Sequence, residues 1–151
     1  TAIVIGNKAR LSGDIYLDID SFGDLTIGDS ALIQSLGRDV TGTVNVLSRG
    51  HVAVGAGTRV LSSGSLSVVG DTIAAPRGSL NSSRLGSVFV LGDGAVVLDH
   101  QLIIGGETVL IGNPLSVLNS RIAVQEGCTL IGGATSPTTT GTVVTGCSST
   151  P

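Results

Sequence analysis

The chain has almost no aromatic side chains: one Tyr, two Phe and no Trp among 151 residues, and it has no Met. Sandwiches of the immunoglobulin or jelly-roll kind usually pack around an aromatic anchor, and this sequence has little material for one. Helix signals are equally scarce. No run sustains 3.6-residue apolar spacing between caps, and Gly fills 23 positions, which weakens helix interiors. Charged residues make up only 13% of the chain, eight basic against eleven acidic for a formal net charge of −3. No basic field exists to attract nucleic acid or an anionic membrane. No apolar stretch is long enough to form a spanning helix, so membrane insertion is not expected. A surface this poor in charge is expected to be covered by Ser, Thr, Gly and Asn and to tolerate self-association.

What the chain does have is one short phrase, repeated: two or three aliphatic residues, then Gly, then a polar turn. It occurs as Ile3-Val4-Ile5-Gly6, Leu25-Thr26-Ile27-Gly28, Val52-Ala53-Val54-Gly55, Val68-Val69-Gly70, Val90-Leu91-Gly92, Ile103-Ile104-Gly105, Leu110-Ile111-Gly112 and Leu130-Ile131-Gly132. Strand followed by Gly, recurring from one end to the other, is the sequence signature of a solenoid. The closing glycines fall at 6, 28, 55, 70, 92, 105, 112 and 132, so that intervals of 20 to 27 residues recur, as a three-sided coil of short strands requires, and shorter ones subdivide them. Six or seven such coils, each rising ~4.8 Å, predict a rod about 30 Å tall. The expected fold is therefore all-β: a single-domain parallel β-helix, with a Greek-key sandwich as the alternative. Between the phrases, Leu17 and Ile19 alternate with Asp18 and Asp20, with Ile15 read as facing the same way as Leu17. Val44 and Val46 flank Asn45, and Ile122 and Val124 flank Ala123. Phe22-Gly23, Arg49-Gly50 and Ser63-Gly64 mark turns.

Two segments break the rhythm. Residues 71–86, with Pro76, Gly78, a Ser cluster, Arg77 and Arg84, read as a lateral loop. Residues 134–151, rich in Thr and Ser, read as a tail or as a last strand, Thr142-Val143-Val144, completing a solenoid that spans residues 1–133. Cys128 and Cys147 bracket this segment. In a secreted protein they would pair in a disulfide worth about 3 kcal/mol, and in a cytosolic one they would be two buried thiols. The strand-like opening at Thr1, without Met, is expected of a mature product whose leader has been removed, and points to an extracellular or cell-surface location.

Candidate chemistry is sparse. Gly28-Asp29-Ser30-Ala31-Leu32 is similar to the nucleophile block of the GDSL hydrolases. That family's downstream Asp and His would have to be spaced apart, whereas Asp99 and His100 are adjacent, so a plain turn is expected here. Asp14, Asp18 and Asp20, with Arg77 and Arg84, form a possible ligand face for Ca²⁺ or a surface glycan, although no Ca²⁺-loop spacing accompanies them. His51 and His100 lie in different repeats without a second ligand nearby, so no metal and no cofactor are expected. Thr138, Thr140 and Thr142 alternate, as in one rung of an ice-binding solenoid. Asn81-Ser82-Ser83 fits the glycosylation sequon.

Residues 51–70, HVAVGAGTRVLSSGSLSVVG, resemble a coil of the bactofilins, polymer-forming β-solenoids, and are also similar to the coils of trimeric autotransporter heads. What the resemblance implies is non-enzymatic assembly through stacked coils. The expected role is a subunit of an extracellular fibre or surface lattice that binds copies of itself. Ile3, Val4 and Ile5 would form one joint surface and Val143 and Val144 the other, with Cys128 and Cys147 as a clamp. The alternative, from a different class, is a carbohydrate-binding or carbohydrate-cleaving β-helix of phage-tail or adhesin type.

Overall fold

The computed structural model describes residues 1–37, 41–82, 86–133 and 137–149. Its strands follow one another around a three-sided column. The first coil is β1 (Ile3–Ile5), β2 (Arg10–Gly13) and β3 (Tyr16–Ser21); the second is β4 (Leu25–Ile27), β5 (Leu32–Ser35) and β6 (Thr43–Ser48). The third is β7 (His51–Val54), β8 (Thr58–Ser62) and β9 (Leu66–Gly70). β10 (Thr72–Ala75) and β11 (Gly78–Asn81) lead into β12 (Val88–Asp99), which bends around a corner. β13 (Gln101–Gly105), β14 (Thr108–Leu118), β15 (Arg121–Gly132) and β16 (Val143–Ser149) finish the column, with β14 and β15 again turning corners. No helix occurs among the described residues, and the strands form a single parallel β-solenoid of about 6 turns. The parallel β-helix expected from the glycine phrases is thus the observed fold.

The register shows how the repeat works. One full coil carries the chain from Ile3 to Leu25, the next from Leu25 to Val52, and those after it from Val52 to Ile73 and from Ile73 to Val96, so coil length varies while the stacking is kept. In-register parallel stacking puts each side chain on top of its counterpart one coil away, so polarity must be kept along a column rather than along the chain. On the second face Leu11, Ile33, Val60, Leu80, Ile103, Ile122 and Val144 form one inward column. On the third face Ile19, Val46, Val68, Val90, Ile111 and Ile131 form another. From Ile33 to Ile122 the first of these columns is at most 4% exposed. Short aliphatic side chains suit so narrow an interior, and the scarcity of rings follows from that.

Three expectations need correcting. The segment expected to loop out at 71–86 instead supplies β10 and β11, which pair in register with the coils on both sides. Pro76 takes the corner between them, where neighbouring coils use a left-handed residue. Ile15 does not alternate inward with Leu17; β3 begins at Tyr16, and Ile15 is 63% exposed in the preceding bend. Ser and Thr are not confined to the surface either, since Ser21, Ser35, Ser48, Thr58, Ser62, Ser82, Ser120 and Thr129 are all buried.

The buried hydroxyls sit mainly at corners, where strand pairing lapses and backbone groups need other partners. Ser21, Ser48 and Ser62 each accept the backbone N–H two residues on, from Gly23, Gly50 and Gly64. Each also reaches a corner carbonyl: Ser21 that of Asp24 at 3.1 Å, Ser48 that of Gly23 at 2.6 Å and Ser62 that of Ser65 at 2.8 Å. At the corner between the first and second faces the chain turns through a left-handed residue in coil after coil: Lys8 (φ 57°), Ser30 (56°), Gly57 (74°), His100 (50°), Asn119 (47°) and Gly141 (69°). Gly28, just before this corner, is needed for a different reason. A Cβ there would strike the Asn7 side chain, whose Oδ1 accepts the Asp29 N–H at 3.0 Å.

Candidate functional site

The first coil is built like the others but covered on one side only. β1, β2 and β3 pair with β4, β5 and β6 above them and with nothing below among the described residues. Ile3, Ile5, Leu11 and Leu17 pack against the core yet remain partly exposed, whereas Leu25, Ile27, Ile33 and Val44 one coil higher are at most 1% exposed. Val4 points outward and is 75% exposed. The end of the column is therefore an apolar rung with a strand edge around it. At the other end Val144 is partly buried on Ile122, and Val143 is 57% exposed. The two groups of expected joint residues thus lie at opposite extremities of one column.

β16 continues the solenoid rather than leaving it. It pairs with β15 at 121–123 and again at 128–130, and this second stretch puts Cys128 in register with Cys147. In-register residues on adjacent parallel strands lie about 4.8 Å apart, inside the Cα range that a disulfide spans.

The acidic residues occupy the foot of the column. Asp18 and Asp20 face outward from β3, and Asp14 lies in the bend before it, all three exposed. Asn45, one coil up, donates from Nδ2 to Asp18 at 2.8 Å and to the Tyr16 hydroxyl at 3.0 Å. Asp14 also helps line a groove of about 420 Å³ with Ile15, Leu36, Gly37 and Thr41. Arg77 is not near this face. It sits on the corner between β10 and β11, where its carbonyl accepts the Gly57 N–H at 2.7 Å, on the far side of the column and three coils higher. Arg84 lies outside the described residues. Of the four described residues of the expected face, Asp14, Asp18 and Asp20 thus share the foot of the column and Arg77 lies apart from them.

The other motifs resolve into architecture. Gly28-Asp29-Ser30 is a corner: Asp29 accepts the Ala56 N–H at 2.8 Å, and Ser30 is its left-handed residue. Asp99 and His100 occupy the same corner one coil above Arg77, with the His100 Nδ1 at 2.7 Å from the Asp99 carboxyl, and Asn119 donates to Asp99 at 3.1 Å. The Asn119 hydrogen bond, and then the adjacent His100, hold the Asp99 carboxyl below its ordinary range. His51 contacts the Thr72 hydroxyl and is far from this corner. No group of three metal-ligating side chains occurs among the described residues. Thr138, Thr140 and Thr142 do not share an outward row, because the Thr142 hydroxyl turns in to the Val117 carbonyl at 2.5 Å. In the sequon, Asn81 Oδ1 is buried without a hydrogen-bond partner and Ser82 is 7% exposed, while Ser83 lies outside the described residues.

Sequence reasoning missed an outward apolar patch on the third face. Phe89, Leu110 and Leu130 stack in one column, and Leu47, Val69 and Leu91 stack in the next. The signal was available as the second aliphatic residue of Val-Val-Gly, Val-Leu-Gly and Leu-Ile-Gly: in a strand with one wet face, adjacent aliphatics cannot both point inward.

Comparison with protein-family models, with curated proteins and with solved structures yields no match for this chain. The class that can be stated is the one its coordinates define, a parallel β-solenoid.

Proposed function

We propose that this chain is a non-enzymatic structural protein whose subunits stack end to end, the first coil, with Ile3, Val4 and Ile5, docking on the last coil, with Val143 and Val144, of a second copy. The observation that carries this is the contrast between the first coil and the second: Ile3, Ile5, Leu11 and Leu17 are only partly buried, while their counterparts one coil higher are sealed. A docked coil would enclose Ile3, Ile5, Leu11 and Leu17 and give the edge N–H and C=O groups partners in the ladder they already match in spacing. The likeness of residues 51–70 to a bactofilin coil points the same way, since those proteins polymerise through stacked coils. A Cys128–Cys147 disulfide would hold the last coil in place for docking, and suits an extracellular or cell-surface fibre. Non-reducing peptide mapping would then find the two cysteines in one linked fragment. The glycan reading keeps the exposed Tyr16 beside Asp14 and Asp18 but has less behind it, because Arg77 stands apart from Asp14, Asp18 and Asp20.

The test is size against concentration for the full chain, by light scattering with negative-stain imaging. Filaments that disappear in the Ile3→Asp, Ile5→Asp double variant, with the β-type circular dichroism retained, are the expected result. A wild-type chain that stays a monodisperse monomer throughout the range sinks the reading.

A further inference from the structure

We infer that the outward third face is a second self-association surface, on which two copies of this chain pack sheet to sheet with their columns antiparallel. Its centre is Phe89, Leu91 and Leu110, flanked by Leu47, Val69 and Leu130. Leu130 is 41% exposed, and Leu91 lies over the space left by Gly112. These side chains stand on a sheet whose other side already packs the core. Parallel sheets are normally covered on both faces, and nothing among the described residues covers this one.

The other two faces do not offer the same chemistry. The first presents Thr26, Ala53, Ala74, Val97 and Ser116, mostly small side chains, with Val4 and Leu115 exposed only toward its two ends, and the second is interrupted by Arg10, Arg59 and Arg121. On the third face the only charged outward positions among the described strands are Asp18 and Asp20, both in the first coil. From the second coil upward the described strands of this face carry no charge.

Area, spacing and charge identify the occupant. Five rungs at ~4.8 Å and about five residues of strand give a footprint of roughly 400 Å² per copy, apolar at its centre and interrupted by Asn45 and Ser67 toward the first coil. Two copies would bury about 800 Å², less than the roughly 1,200 Å² of a stable complex. One pair of subunits would therefore associate weakly, and the contact would gain persistence where end-to-end stacking repeats it along a column. Outward side chains in rows ~4.8 Å apart mesh with rows of equal pitch, which a second parallel solenoid supplies. Orientation follows from Asp18 and Asp20. Parallel columns would set these carboxylates against their own copies across a sheet-packing gap of about 10 Å, whereas antiparallel columns centred near Phe89 and Leu110 leave them outside the contact.

This surface is independent of the end-to-end joint, and the two can be tested apart. Sedimentation velocity of the Ile3→Asp, Ile5→Asp variant from about 1 to 200 µM should show a reversible shift from monomer to dimer, and adding Leu110→Lys should leave monomer at every concentration. Val4→Arg serves as the end block if the double variant does not fold. In the otherwise native chain, Leu110→Lys should turn bundled or paired filaments into single ones, while loss of filaments altogether in the end-blocked chain bears only on the joint. A nitroxide on Asp18→Cys in the end-blocked dimer should give a pair distance of about 35 Å, from seven rungs of separation at ~4.8 Å. An end-blocked chain that is monomeric throughout, a dimer indifferent to Leu110→Lys, or a label distance close to the sheet-packing gap of about 10 Å that parallel columns impose would overturn the inference.

Discussion

Truncating the same residue type at two heights in the column should separate the rung-by-rung stability of this fold from the effect of its open end. Ile103 is fully buried in its inward column between Leu80 and Ile122. The ladders above and below fix the coil spacing, so Ile103→Ala leaves a cavity that cannot close, and a loss of about 3 to 4 kcal/mol is expected. Ile5 has Ile27 above it and solvent below, and is only partly buried. Water fills the space left by Ile5→Ala, so the loss should be near half the transfer value of the side chain, about 1 to 1.5 kcal/mol. Urea titrations at a protein concentration below any assembly, with equal slopes for both variants, give these numbers directly. If a second copy docks on the first rung, Ile5→Ala should also raise the concentration needed for assembly about tenfold, the equivalent of about 1.4 kcal/mol. Equal losses for the two variants in the monomer would mean that the first rung is already enclosed, and the reasoning would fail at its base.

Three further outcomes follow from the corners. A Cβ at Gly127 would fall on the Glu107 carbonyl, so Gly127→Ala should cost about 3 kcal/mol or more in thermal or urea unfolding, whereas Gly6→Ala, with open space around that position, should cost under about 1 kcal/mol. Ser62→Ala leaves the corner carbonyls of Gly42 and Ser65 and the Gly64 N–H without their hydroxyl partner; a loss of about 1 to 3 kcal/mol is expected, read as a drop of about 2 to 4 °C in Tm per kcal/mol. The lowered pKa of Asp99 adds stability that is complete above the ordinary Asp range and is lost as pH falls through the lower folded value; Asn119→Gly, which keeps the left-handed turn, should move its carbon-detected NMR titration back up, and an unchanged midpoint would refute the assigned cause.

The fold was legible in the sequence because in-register stacking imposes one polarity on each column. Val44-Asn45-Val46 and Ile122-Ala123-Val124 alternate as their inward and outward columns require. The assignment of strands to faces was not legible. The same phrase closes on the first face at Gly28 and Gly55, on the second at Gly105, and on the third at Gly70, Gly92, Gly112 and Gly132, so the glycine says that a corner follows but not which one. Turn chemistry at 76–78 was read as a loop because Pro and Gly mark corners and excursions alike. The corner serines did leave a signal: Ser21-Phe22-Gly23, Ser48-Arg49-Gly50 and Ser62-Ser63-Gly64 repeat Ser-x-Gly, with the hydroxyl accepting the Gly N–H each time. A Ser beside a Gly turn is ordinary in any loop, and only stacking shows that it points inward. The split between Asp18 and Arg77 depends on which corner each occupies, which is again information carried by the coil count and not by neighbours along the chain.

The same logic explains why the ends of this column matter more than its flanks. In a quasi-one-dimensional fold each coil gains stability from the interfaces above and below it. Interior coils have two such interfaces and the first has one, so Ile3, Ile5, Leu11 and Leu17 deliver only part of the burial that Leu25, Ile27, Ile33 and Val44 reach with the same chemistry. Adding a charge to the first rung would be the simplest way to keep it soluble, yet none of its inward positions is charged and its acidic residues face sideways from β3. A rung left uncharged at its inward positions gains most from a surface of identical spacing, and on the proposed reading the far end of a second copy would supply one. If a second copy docks there, the residual exposure of the first coil sets how steeply assembly should respond to each methyl group removed from Ile3, Ile5, Leu11 or Leu17.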